Sequence, residues 1–146
     1  TTGPAYCVYN TSTDSITYGV LYNWRAASDA ICPEGWHLPS DEEWATLAAF
    51  LGGTSVGGGK LKETGTAHWQ SPNTGASNET DFTALPGGYR SQNSSIRDIG
   101  KLGAFWSSTQ NTASFAWIRY MEYNTGSLER GSNLKGDGLS IRCVKD

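Results

Sequence analysis

The chain is short of nearly everything that metal or phosphate chemistry needs. It has 2 histidines and 3 cysteines, and His37 and His68 stand at zinc-site spacing with no cysteine. His37, between Trp36 and Leu38, reads as a packed, hydrogen-bonded core or boundary residue. Charge is scarce too: 17% of residues are charged and the net charge is -3. No basic stripe exists to neutralise phosphates, so nucleic acid is not an expected partner. No apolar run is long enough to span a bilayer, which removes direct membrane insertion through a helix. The opening TTGPAYCVYN lacks both the basic and the apolar region of a secretory leader. An exported protein would therefore have lost its leader, or this domain would be cut from something longer.

The enzyme motifs suggested at first sight fail in detail. GGTSVGGGKL looks like a phosphate loop, but Thr54 stands where the first glycine belongs and Leu61 where Ser or Thr should follow Lys60. No G-x-S-x-G elbow supports a serine nucleophile. The acidic run Asn78-Glu79-Thr80-Asp81 lacks the spacing of an EF-hand and reads as a solvated turn. Glu42 and Glu43 read as helix-start carboxylates and not as an acid/base pair. The chain is thus read as a non-enzyme, with no catalytic residue, no metal and no cofactor expected.

Glycine and aromatic residues are plentiful: 18 Gly, 6 Trp, 7 Tyr and 4 Phe. Glycine at that level means many turns, and Trp and Tyr at that level serve either a core or a contact surface. The 146 residues suit one domain, 1–146, with a single core. Two of the three cysteines can pair. A Cys32 to Cys143 bridge would close most of the chain into one loop, worth about 4–5 kcal/mol in the chain-entropy model; the alternative is three reduced thiols. The low charge and the Ser/Thr/Asn/Gly-rich surface suit an extracellular setting.

Local patterns give an α+β order. AYCVYNTSTDSITYGVLYNW reads as two short strands around a polar turn, and LYNWRAASDAIC has helical character. Ser40 to Glu43 form a capping box, Trp44, Leu47, Ala48 and Leu51 follow on one face, and Gly52-Gly53 stops the helix. GGTSVGGGKLKETG reads as a flexible loop. Strands fill the last third: SFAWIRYMEY, the short SLERG, and LSIRCVKD with Leu139, Ile141 and Cys143 on one side. Within SFAWIRYMEY, alternation requires one of the sets Trp117/Arg119/Met121/Tyr123 and Ala116/Ile118/Tyr120/Glu122 to face outward.

The ordered segments YGVLYNWRAA, CPEGWHLPSDEEWATL, GGKLKETGTAHW, FTALPGGYR, GAFWSST, AWIRYMEYN and LSIRCVKD resemble the Fibrobacter succinogenes major paralogous domain. That family is similar in turn to the formylglycine-generating-enzyme branch of the C-type lectin-like fold. The resemblance implies two helices packed on a small twisted antiparallel sheet with long loops and neighbouring termini. It also implies a disulfide from the first helix to the last strand, where Cys32 and Cys143 fall, which leaves Cys7 unpaired. Trp36, Trp44 and Cys32 would then belong to the scaffold. The copper-binding cysteine pair of formylglycine-generating enzymes is missing, since only Cys143 lies near the end. The Glu-Pro-Asn, Gln-Pro-Asp and Trp-Asn-Asp triplets of calcium-dependent lectins are missing as well.

Between positions 110 and 137, Trp, Tyr, Phe and Arg mix with Asn, Ser, Thr and Gly, the composition of adaptable binding surfaces. The expected contacts are Gln110, Asn111, Phe115, Trp117, Tyr120, Glu122, Tyr123, Thr125, Ser127, Glu129, Ser132, Asn133 and Leu134. YNTGSLERGSNLKGDG also resembles the targets of diversity-generating retroelements, which rewrite adenine-rich codons on C-type lectin-like scaffolds. The expectation is a secreted, cell-surface or virion-borne module, part of a larger surface or tail-fibre protein, whose partner is a protein or glycan on a cell surface. A different reading is a carbohydrate-binding module with Trp69 or Trp106 as a flat platform. A third is a domain of purely scaffolding value.

Overall fold

The computed structural model describes residues 3–28 and 31–146. It is a small α+β protein built of short helices and several small antiparallel sheets. Strand β1 (Tyr6–Cys7) pairs with β2 (Leu21–Tyr22). The segment between them is a helix, α1 (Ser12–Tyr18), where the sequence suggested a polar turn. Thr11 explains it: its hydroxyl accepts from the Asp14 amide at 3.1 Å and donates to the Asp14 carboxylate at 2.7 Å, capping the first turn. Gly19, at φ 78°, ends the helix.

After α2 (Trp24–Ser28) and β3 (Trp36–His37) comes α3 (Asp41–Phe50). The capping box is present. Ser40 Oγ accepts from the Glu43 amide at 3.2 Å, and the Ser40 amide donates to Glu43 Oε2 at 2.8 Å. Trp44, Ala48 and Leu51 bury the predicted face.

The next segment departs from the sequence reading. GGTSVGGGKL is not a flexible loop but helix α4 (Thr54–Leu61). Its glycines are required by contact. A Cβ on Gly58 would lie 1.9 Å from the Ser127 carbonyl oxygen, and one on Gly59 would lie 2.3 Å from the Gly75 carbonyl oxygen. Backbone packs on backbone here, and the Gly59 amide donates to the Gly126 carbonyl at 2.8 Å. Tertiary contact thus outweighs the roughly 1 kcal/mol per residue by which glycine disfavours a helix. Beside α4, Lys62 is fully buried, and its ammonium donates to the carbonyls of Thr74, Glu122 and Thr125 at 2.9–3.0 Å. Burial pushes its pKa down to about 8.

Strands β4 (Tyr89–Arg90) and β5 (Ile96–Arg97) form a small hairpin. The main sheet has the order β6 (Leu102–Gln110), β7 (Phe115–Glu122), β8 (Glu129–Leu134). Its two faces carry the two core clusters. Phe105 and Met121 join Trp44, Leu51, Leu61, Trp69 and Leu128 on one face. Ala104, Trp106, Ala116 and Ile118 join Ala27, Leu38 and Leu139 on the other. Strand β7 is therefore covered on both sides for much of its length, and neither alternating set is wholly outward as expected. Arg119 and Met121 are buried on one face, Ala116 and Ile118 on the other.

The chain end is stitched in by bridges and is not one regular strand. Leu139 bridges to Tyr22 and Ser140 to Phe105, and only β9 (Val144–Lys145) is regular, pairing with β3. Leu139 is fully buried, while Ile141 and Cys143 are half-buried. The Cys32–Cys143 disulfide closes this end, with Cα atoms 5.8 Å apart, and Cys7 is the free thiol. Trp36 departs from its expected scaffold role: it is 45% exposed, against 2% for Trp44.

Candidate functional site

The register of the main sheet sorts the candidate contact residues. Phe115 pairs with Leu134, Trp117 with Ser132, and Arg119 with Arg130 on one face. On the opposite face Ala116 pairs with Asn133, Ile118 with Gly131, and Tyr120 with Glu129. Helix α3 covers only part of the first face, and its N-terminal residue marks the border. The Asp41 carboxylate accepts from Arg119 Nη2 at 2.8 Å and from Arg130 Nη2 at 2.8 Å. A bulge in β6 seats that helix start, because the Thr109 hydroxyl accepts the Asp41 amide at 3.0 Å.

Beyond the border the face is open. Phe115 and Leu134 are each 37% exposed, an apolar pair at the free end of the hairpin. Next to them the Arg130 guanidinium stacks on the Trp117 ring, 3.4 Å from its centroid. Asp41 holds Arg130 firmly charged, raising its pKa through their hydrogen bonds. Burial lowers the pKa of Arg119, which Asp41 opposes. Both side chains are thus held by one carboxylate, next to the aromatic face. Arg130 was not among the expected contacts. Its signal in the sequence was only an alternating arginine in a short polar segment.

The remaining candidates lie elsewhere. Tyr120, Glu122 and Glu129 belong to the opposite face, and Tyr120, Glu122 and Asn133 line a depression of about 240 Å³ there. Burial, followed by the Glu129 and Glu122 charges, raises the Tyr120 pKa. Gln110 accepts from the Lys135 ammonium at 2.7 Å, and Asn111 lies exposed in the β6–β7 turn. Tyr123 packs against the core. Thr125 and Ser127 hydrogen-bond each other at 3.1 Å in the turn beside α4. The structure therefore brings Phe115, Trp117, Ser132 and Leu134 together and disperses the others over the second face, the end of β6 and its turn into β7, and the β7–β8 turn.

The platform role for Trp69 and Trp106 fails. They are 1% and 0% exposed, and their indole N–H groups donate to the carbonyls of Ala84 at 2.9 Å and Tyr22 at 2.7 Å. His37 is a boundary residue, hydrogen-bonded to Asp146 at 2.5 Å and to Glu43 at 2.7 Å, and these bonds raise its pKa. Glu43 serves the helix start, as its hydrogen bonds to Ser40 show. Asn78 and Asp81 lie in a tight turn whose neighbour Glu79 pairs with Lys60 at 2.9 Å. Among the described residues no helix is long and apolar enough to cross a membrane.

The fold and this face define a disulfide-tied α+β domain with a partly aromatic sheet surface. The chain belongs to the Fibrobacter succinogenes major domain family, whose model matches residues 1–145. No curated protein and no solved structure matches it.

Proposed function

We propose that the chain is a ligand-binding module of C-type lectin-like architecture, displayed by a secreted, cell-surface or virion protein and directed at a protein or glycan on another cell. One observation carries the reading: the exposed Phe115–Leu134 pair adjoins the Arg130–Trp117 stack on a sheet locked by Asp41. Aromatic and arginine side chains held rigid before binding lose little conformational entropy, which is the chemistry of interface hot spots. The disulfide supports an oxidising compartment. Helices flanking a small sheet, long loops and a chain end bridged back to the segment after α2 support the C-type lectin-like architecture.

The reading includes diversification of the 110–137 segment by a retroelement. Structure limits where variation is tolerable: Ala116, Ile118, Arg119, Met121 and Leu128 are buried, while Gln110, Asn111, Phe115, Ser132 and Leu134 are exposed. Deep sequencing of the gene's final third across a natural population is expected to find adenine-directed changes at the exposed codons and none at the buried ones. A uniform sequence, or changes spread evenly through the gene, refutes diversification. The face itself is tested by staining intact community cells with labelled domain. Staining that survives the double change Phe115→Ser, Leu134→Ser would move the contact surface elsewhere.

A further inference from the structure

A concavity of about 640 Å³ lies away from that face, next to the disulfide. Its walls are the exposed indole of Trp36, the aromatic edge of Trp44 and Phe82, and the polar groups of Glu43, Asp81 and Arg142. The volume falls within the range of small-molecule sites, roughly 300–1,000 Å³. Three features make it a prepared groove. Trp44, one of its wall residues, has a buried indole N–H with no partner among the described residues. Arg142 stacks over Phe82, 4.2 Å from the ring centroid, and donates to the Phe82 carbonyl. The wall loop is held in unusual backbone: Asn78, Asp81 and Thr83 all have φ between 48° and 55°. Positive φ at a β-branched threonine is a true outlier, and such strain persists only where the surroundings enforce it. Here Asn78 enforces it, accepting from the Thr83 amide at 2.7 Å and donating to its hydroxyl at 2.9 Å.

The chemistry of the walls selects an occupant. Carboxylates only accept and a guanidinium only donates, so a ligand satisfying Asp81 and Arg142 must offer both donors and acceptors, as a set of hydroxyls does. A proline-rich peptide offers mainly carbonyl acceptors and would bring no donor to the Asp81 carboxylate, whereas Glu43 already accepts from Ser40 and pairs with His37. A sulfated or uronic-acid ligand would meet two carboxylates against one arginine. The half-exposed Trp36 indole supplies a flat apolar surface for the C–H face of a ring. We propose that this groove binds a neutral saccharide, one ring stacked on Trp36 and its hydroxyls shared between Asp81 and Arg142. The proposal does not depend on the sheet face being a receptor surface.

The test is titration of the folded domain with cellohexaose, xylohexaose and mannohexaose, followed by ¹H–¹⁵N spectra of the indole N–H groups and by calorimetry. At least one sugar is expected to shift the Trp36 resonance. Trp36→Ala should abolish binding, and Arg142→Gln should weaken it on the order of tenfold, the worth of a hydrogen bond to a charged group. Asp81→Asn serves as a second variant that leaves β3 and β9 untouched; it should also weaken binding, with the rest of the spectrum unchanged. Ile16→Ser, at an 85% exposed position of α1 that does not line the groove, should bind as the parent does. No indole shift with any of the three sugars, binding that survives Trp36→Ala in a folded domain, or a Trp36 shift caused by decaproline alone would each overturn the proposal.

Discussion

The two halves of β7 are made of the same kinds of residue and meet opposite fates. Phe115 and Trp117 begin one face of the strand, and Arg119 and Met121 continue it. The first pair is open to solvent or half-buried, whereas Arg119 is 3% and Met121 0% exposed. Nothing in the alternation of FAWIRYME separates them. What separates them is the place where α3 begins: Asp41 lies over the strand, pairs with Arg119 and Arg130, and the helix beyond it covers the second half. The open face of the sheet is therefore the part of a strand that a helix fails to reach. An aromatic residue beyond that limit costs little to change, and one inside it belongs to the core.

The comparison is broken most severely at its border. Asp41→Ala leaves Arg119 buried without its carboxylate, and we expect a loss of about 3–5 kcal/mol in denaturant unfolding. Arg130→Ala, removing a side chain 43% exposed, should cost about 0–1 kcal/mol. Equal losses from the two would mean that Asp41 does not organise the border. The next effect compares the halves directly. Met121→Ala should destabilise by about 2–5 kcal/mol through the cavity it leaves, and Phe115→Ala by less than about 1 kcal/mol. Similar values would mean that the open half is part of the core.

The smallest effect concerns the chain end on the covered side. The Asp146 and Glu43 hydrogen bonds raise the His37 pKa above its usual 6.5. A raised folded-state pKa means that the protonated ring stabilises the fold at pH below 6.5, and that this contribution is lost as pH rises through the folded value. The melting temperature of the parent should therefore exceed that of His37→Gln at pH 5.5, with the gap closing by pH 8.5. A gap independent of pH would show that the contacts do not depend on the charge of the ring.

Much of the frame was legible in the residues. Ser40 and Glu43 announce a helix start, Trp44, Ala48 and Leu51 its buried face, and Gly52-Gly53 its stop, because capping and 3.6-residue periodicity are local and need no partner to be read. The ordered family segments and the Cys32–Cys143 pair were readable for the same reason of position along the chain. The open sheet face was legible only as composition. Alternation divides a strand into two sides but carries no information about what lies over each, so Phe115, Trp117, Ser132 and Leu134 could not be separated from Tyr120, Glu129 and Asn133. The groove was less visible still. Trp36, Asp81 and Arg142 are far apart in sequence, and a Trp beside a capping box reads as core.

By itself the sequence determined where α3 begins and ends and that strands fill the last third, since those signals act within a turn or two of the chain. The tertiary structure decided what short-range chemistry opposes or ignores. It made a helix of TSVGGGKL, whose glycines favour disorder locally but permit the backbone contact with Ser127 and Gly75. It buried Trp69 and Trp106, left Trp36 exposed, and divided β7 at Asp41, because burial is a property of neighbours distant along the chain.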